Sequence, residues 1–273
     1  MNVLLKIFHF RERKNKMRIL MIRHGDPDYE HDSLTETGKK EAALLAEIAE
    51  DLHMGDCFVS PLGRARETAA YTLDRLHRSA KTLNWLQEFP AKLDVNGSEE
   101  LLRAFPNTRI IDGRYKPRIV WDMVPSYYLK HPEYMNREGW RNSEVARKSD
   151  IIQVYDDVTG SLDRLLAEYG YVREGMFYRV ERANTDTVTF FCHFGLTCVL
   201  LSHLLNVSPF SLWHGLALAP TSVTEVVTEE REQGIAMFRG LRLGDVHHLL
   251  AKGRTPSFSA RFCEIYDNME QRH

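Results

Sequence analysis

The chain has 273 residues, 43% of them apolar and 27% charged, with a formal net charge of -2. That profile describes a globular protein able to bury a sizeable core. Near-neutral charge, with no Lys/Arg stripe beyond the N-terminus, argues against nucleic acid as a partner.

Residues 1–16, MNVLLKIFHFRERKNK, place an apolar start before a basic cluster, the reverse of a secretory leader. They are expected to form an N-terminal extension, with Met17 an alternative start. The domain proper is assigned to 17–273. The longest apolar run, Leu196 to Leu201, falls far short of the roughly 20 residues a membrane span requires, so no transmembrane segment is expected.

Arg18 to Ile22 is a short continuous apolar run, the pattern of a strand buried on both faces of a parallel sheet, and it delivers Arg23, His24 and Gly25 to the strand's end. Thr35 then N-caps a helix whose apolar side is Leu45, Ile48, Ala49 and Leu52, with Gly55 just past its end. Cys57 to Val59 reads as a second strand. Ser60-Pro61-Leu62-Gly63 opens a second helix with Arg64 in its first turn and Ala65, Ala69, Leu73 and Leu76 along one face. Thr82 to Leu86 is a third strand candidate, ending before Gln87 and Glu88.

From about 89 to 148 the pattern breaks into a stretch rich in Pro, Gly, Arg and aromatics, expected to be a lid-like insertion with short helices of its own. Its aromatics, among them Trp121, Tyr127 and Tyr128, form either a satellite core or a substrate pocket. An amphipathic helix resumes at Ile151, Tyr155, Val158, Leu162 and Leu165 and closes at Gly170. Tyr171 to Val180 alternates about Glu174-Gly175 as a surface hairpin. Thr187 to Cys192 is a further buried strand ending in a histidine, His193, with a helix straight after. Val223–Val227 and Ile235–Leu241 form a closing antiparallel pair.

Ligands of open α/β sheets bind outside the carboxyl ends of the strands, so Arg23, His24, Arg64, Glu88 and His193 are expected to converge. Two arginines, two histidines and a helix N-terminus make an anion site suited to phosphate. A neutral imidazole can attack phosphorus, which casts His24 as nucleophile, with Arg23 and Arg64 neutralising the phosphoryl oxygens and His193 doing likewise if cationic. The alkoxide leaving group needs a proton. Glu88 fits that role, with Asp26 and Asp28 as competing acids.

The set Arg23-His24-Gly25, Leu34-Thr-Glu-Thr-Gly38, Ser60-Pro-Leu-Gly-Arg-Ala-Arg-Glu-Thr-Ala69 and Cys192-His193-Phe194-Gly195 resembles the histidine phosphatase superfamily, the phosphoglycerate mutase-like proteins. The resemblance implies a three-layer α/β sandwich with a mixed, mostly parallel central sheet flanked by helices. It also implies a phosphohistidine on His24, phosphate contacts from Arg23, Arg64 and His193, and Glu88 as proton donor.

Two departures stand out. Mutases resemble one another in an Asn-Glu-Arg-x-Tyr-Gly run around the acid, where this chain has Leu86-Gln87-Glu88-Phe89-Pro90-Ala91, which disfavours a mutase. The Thr and Asn usual after Arg-His-Gly are replaced by a segment holding Pro27 and Tyr29.

The reading that results is a metal-independent phosphomonoester hydrolase acting on a small phosphorylated substrate, with no cofactor. The alternatives are a mutase-type phosphoryl transferase and a catalytically weak relative that binds a phospho-ligand or a protein. Neither Cys57 nor Cys192 has the downstream arginine of a cysteine phosphatase, and no Gly-x-x-x-x-Gly-Lys-Ser/Thr loop occurs. Cys57, Cys192, Cys198 and Cys263 lack paired spacing, which points to reduced thiols and a cytoplasmic location. His247-His248 lacks a third ligand at metal spacing. Arg66 and Glu67 are expected to be helix-surface charges.

Overall fold

The computed structural model describes residues 16–258 and 264–268. All of the expected N-terminal extension except Lys16, and Cys263, lie outside the described residues.

Eight strands form one mixed sheet: β1 (Arg18–Arg23), β2 (Asp56–Val59), β3 (Lys81–Thr82), β4 (Tyr171–Glu174), β5 (Phe177–Val180), β6 (Thr187–Cys192), β7 (Val223–Glu232) and β8 (Ile235–Asp245). Their order across the sheet is β4-β5-β8-β7-β1-β6-β2-β3. The strands β1, β6, β2 and β3 run parallel, and the remaining four pairings are antiparallel. The expected mixed sheet with a parallel core is therefore present, and an antiparallel flank completes it.

Every residue of β1 and β6 is buried, which explains the unbroken apolar run Ile19–Ile22 in β1 and the adjacent Phe190 and Phe191 in β6. One face of the sheet packs Leu20, Ile22, Val59 and Phe191 against Leu45, Ala69 and Leu73 from α1 (Glu36–Glu47) and α2 (Gly63–Arg75). Each aliphatic side chain buried there contributes about 1.5–3 kcal/mol. The other helices used below are α3 (Ile151–Glu168) and α4 (Phe194–Leu205).

At the opposite ends of the strands, Arg18 is held by Glu225 at 2.7 Å, and Arg242 reaches the same carboxylate at 2.6 Å. This buried Arg-Glu-Arg group fastens β1, β7 and β8 well away from the strand ends that carry His24 and His193. A buried charge is tolerable there because both oxygens of Glu225 are engaged.

Three expectations shift. The third strand is only Lys81–Thr82, followed by a 3-10 turn over Asn84–Leu86. Tyr171 to Val180 is a hairpin with Gly175 at φ 58°, but it is an integral sheet edge, since Tyr178 and Arg179 pair with Ala236 and Ile235 of β8. The closing pair is also longer than the sequence indicates, because polar residues continue both strands out to the turn at Gly234.

The chain divides into two compact units. The first holds residues up to 88, 163–197 and from 217 onward; the second holds 89–162 and 198–216. That second unit runs past the 89–148 bounds read from the sequence. Its short elements include the helices Glu99–Ala104 and Pro125–Tyr128 and several two-residue strand pairs. Trp121 and Trp213 stack at 5.1 Å between centroids with Phe89 beside both, and Tyr128 stacks on His214 at 4.1 Å. Trp121, Tyr127 and Tyr128 are buried, so these aromatics are the core of that unit. No helix among the described residues is long and apolar enough to cross a membrane.

Candidate active site

Strand register assembles the site. Arg23 pairs with Cys192, so the next residues, His24 and His193, leave adjacent parallel strands at the same level. Their ring centroids lie 5.1 Å apart. Phe191 pairs in turn with Val59, which brings Ser60 alongside; its Oγ lies 2.7 Å from His193 Nε2. Three strand ends thus supply three polar side chains in a row.

Two glycines let the chain turn away behind His24. A Cβ on Gly25 would lie 2.8 Å from the Gly38 carbonyl oxygen, and one on Gly38 would lie 2.2 Å from that of Asp26. The backbones therefore touch where side chains cannot fit. Thr35 caps α1 by accepting from Gly38 N–H, and its hydroxyl donates to Asp26 Oδ2 at 2.7 Å. Glu41, on the same helix and buried, accepts from the N–H groups of Asp26 and Ser257 at 2.9 and 2.8 Å. Burial pushes its carboxyl above the ordinary range, against the two backbone N–H bonds.

His24 Nδ1 lies 2.7 Å from the Gly25 carbonyl oxygen. A carbonyl only accepts, so Nδ1 carries the proton. Burial, with Arg23 and Arg64 adding to it, holds the imidazole well below its usual range. The ring is then neutral, and its Nε2 lone pair accepts a long hydrogen bond from Arg64 Nε at 3.4 Å. His193 is also held low, by burial first and then by His24 and the two arginines. His193 would therefore act as a cation only with help, and a bound phosphate dianion would favour its protonation. Its Nδ1 is buried with no hydrogen-bond partner, the kind of polar atom that a bound anion's oxygen can satisfy.

Both arginines are buried. Arg23 Nη1 donates to the Leu218 carbonyl, its guanidinium lies 6.0 Å from the Phe194 ring centroid, and burial lowers its pKa. Arg64 is held by Asp32, whose Oδ1 accepts from Nη1 at 2.5 Å. The other oxygen of Asp32 accepts from Gly63 N–H at 2.6 Å, so Asp32 caps α2, whose own N-cap, Leu62, has no side chain for the task. The Tyr29 ring lies 5.4 Å from the Arg64 guanidinium carbon. The Tyr29 side chain is 59% exposed, yet its hydroxyl end is crowded: desolvation raises its pKa, Glu88 adds to this, and Arg23 and Arg64 oppose it.

Glu88 is half-buried and accepts from Leu196 N–H at 3.1 Å, in the first turn of α4. Its charge acts on Arg23, Tyr29 and Cys192. The competing acids are occupied elsewhere. Asp26 takes the Thr35 hydroxyl, and Asp28 pairs with His31 at 2.8 Å on the surface.

Several readings of single residues change. Glu67 is not a surface charge, since its Oε2 holds Leu34 N–H at 2.7 Å, whereas Arg66 is exposed. His248 is buried against Thr221 Oγ1 at 3.0 Å and His247 pairs with Asp245, so the two point to different partners. Among the described residues no group of three or more His, Cys, Asp or Glu is placed to hold a metal ion. Asp32 and the Ser60 contact were missed from the sequence. Ser60 stood within a quoted motif, but nothing in the one-dimensional pattern ties Asp32 to Arg64.

An α/β fold with parallel strand ends converging on paired arginines and histidines is the architecture of a phosphate-handling enzyme. Residues 19–109 match the family model of the histidine phosphatase superfamily, branch 1, in agreement with the resemblance carried by the motifs. That stretch holds Arg23, His24, Arg64 and Glu88; His193 lies beyond it.

The chain is similar in fold to a solved structure described as mycobacterial hydrolase 1, at 16% identity and a TM-score of 0.54, over 84% of this chain and 99% of that one. It is similar to mycobacterial glucosyl-3-phosphoglycerate phosphatase with inorganic phosphate, at 17% identity and a TM-score of 0.52, over 85% and 98% of the two chains. A phosphoserine phosphatase mutant from Entamoeba histolytica in complex with phosphoserine matches at 15% identity and a TM-score of 0.52, over 85% and 99%. At these identities the likeness is one of fold. No curated protein matches the chain by sequence.

Proposed function

We propose that this chain is a phosphomonoester hydrolase that works through a phosphohistidine on His24 and draws its charge stabilisation from side chains rather than a metal. The observation that carries the reading is the fixed tautomer of His24: Nδ1–H is bound to the Gly25 carbonyl, leaving Nε2 as a neutral nucleophile that faces Arg64. The Nε2 lone pair attacks phosphorus while the ester P–O bond breaks. The departing alkoxide takes a proton from Glu88. Glu88, now a carboxylate, takes a proton from water as its oxygen attacks phosphorus and the P–N bond breaks, which returns neutral His24 and releases inorganic phosphate.

Arg23 and Arg64 hold the phosphoryl oxygens throughout, and His193 Nδ1 supplies a further donor once phosphate charge is present. Inorganic phosphate and phosphoserine accompany the fold relatives, and another structure of the Entamoeba histolytica enzyme holds 3-phosphoglyceric acid. Small phosphorylated metabolites of that kind are the substrates to assay first. The buried cysteines Cys57 and Cys192, which form no disulfide, support a reducing, cytoplasmic setting.

The test is hydrolysis of an aryl phosphate and a panel of alkyl phosphometabolites in a chelator, with a rapid acid-sensitive trap for phosphohistidine. The expected result is turnover that survives the chelator and a trapped label that His24→Ala lacks. Undiminished turnover by His24→Ala would sink the mechanism; complete loss of wild-type activity in chelator would replace it with a metal-dependent one.

A further inference from the structure

The segment where this chain departs from its family, residues 26–34, folds back as a small hairpin in which Pro27–Asp28 pairs with Ser33–Leu34. Asp32 is the last residue of its turn, with φ 48°, a left-handed conformation uncommon for any residue but glycine and tolerated by Asp and Asn. Close packing holds it there: a Cβ on Gly63 would lie 2.1 Å from the Asp32 carbonyl oxygen. Both carboxylate oxygens are committed, Oδ1 to Arg64 Nη1 and Oδ2 to Gly63 N–H.

Arg64 is consequently gripped from two sides. Asp32 takes one terminal nitrogen, and Nε is left pointing at His24 Nε2, the atom where phosphorus would be attacked. A guanidinium on a long, flexible stem has many rotamers, and this ion pair selects the one aimed at the nucleophile. The Tyr29 ring covers part of the same group. The pairing has a second effect, because a carboxylate against Arg64 offsets much of the positive charge that a phosphate dianion would meet.

We propose that Asp32 is a positioning residue that aims Arg64 at the reacting phosphoryl group and, by offsetting its charge, keeps the site from gripping inorganic phosphate too tightly to release it. The proposal rests on the hydrolase reading above. It assigns to the hairpin a task in turnover that no motif of the sequence carries.

The test is calorimetric titration of inorganic phosphate into the full chain, wild type against Asp32→Asn and Asp32→Ala, together with steady-state hydrolysis of p-nitrophenyl phosphate. Asparagine tolerates the left-handed backbone and keeps one acceptor for Gly63 N–H while removing the charge beside Arg64. Asp32→Asn should bind phosphate about tenfold more tightly at low salt, with the gap narrowing as ionic strength rises. KM and kcat should fall together, since Arg64 is freer and product leaves more slowly. Should Asp32→Asn fold poorly, Asp32→Ala carries the same sign in phosphate affinity, with a lower melting temperature from the lost cap.

A purely structural role would leave phosphate affinity unchanged or weaker in both variants, and that result overturns the proposal. A wild type that binds phosphate but hydrolyses no ester sinks the hydrolase reading and leaves the affinity comparison decisive. A wild type that binds no phosphate overturns both.

Discussion

Two helices start beside the candidate site, and each takes its N-terminal carboxylate from a distant part of the chain. Asp32 caps α2 at Gly63 and Glu88 caps α4 at Leu196. The caps are alike as local chemistry: an anion against unsatisfied N–H groups, favoured by the helix dipole. They differ in what else they touch. Asp32 is paired with the terminal nitrogen of Arg64, behind the atom that faces His24, whereas the charge of Glu88 acts on Arg23, Tyr29 and Cys192 across the site. One capping device thus serves two settings, holding a cation still in the first case and, in the proposed mechanism, placing a proton donor in the second.

The change with the largest expected effect removes what both caps serve. His24→Ala should lower turnover of any phosphomonoester by about a thousandfold or more, because no second group in the site offers a fixed lone pair. Glu88→Gln attacks the difference between the caps. An amide still accepts from Leu196 N–H but cannot give up a proton in the same way, so alkyl phosphates should lose roughly a hundredfold or more in kcat and p-nitrophenyl phosphate under about tenfold. Equal losses on both substrate types would reduce Glu88 to a cap alone.

Arg64→Lys tests the other side. Lysine keeps the charge yet cannot reach Asp32 and His24 with one planar fork, so kcat should drop by about ten- to a hundredfold. Activity close to wild type would mean that charge alone matters there and that the aim given by Asp32 does not.

The smallest effect is on stability and comes from pH. His24, His193, His214 and His248 are all held below their ordinary range, His214 and His248 at about 4, with burial the leading cause. Between pH 6.5 and about 4 the unfolded chain binds protons that the folded chain refuses, so stability falls as pH drops through that window and levels off below it. The fully buried His248 accounts for about 3 kcal/mol of this at most. An unchanged urea midpoint between pH 7 and pH 5 would show that these rings are not buried.

Much of the sheet was legible because burial on both faces writes itself into the sequence as an unbroken apolar run. Ile19–Ile22 announces itself in that way, Thr187–Cys192 does so less cleanly because Thr187 and Thr189 interrupt it, and a histidine follows each strand. Parallel register then brings His24 and His193 together with no further information needed. The helix starting at Glu36 was legible through Thr35, its cap.

What escaped reading depends on contacts without a local period. Asp32 reaches Arg64 through a left-handed bend that no residue pattern signals. Ser60 looks like a turn residue until the register of β2 and β6 sets it against His193. Trp121, Tyr127 and Tyr128 escape for another reason. They fill the core of a unit built from very short helices and strands, where neither the helical nor the strand repeat runs long enough to show.

Glu41 joins the two ends of this story. Its buried carboxyl holds Asp26 N–H, two residues past His24, and also Ser257 N–H near the end of the described chain. Shortening the chain ahead of Ser257, or attaching a bulky tag that pulls this segment away, would strip one partner from a buried acid that also holds the loop after His24. Damage at the C-terminus should therefore surface as lost activity as well as lost stability, and affinity handles belong at the other terminus.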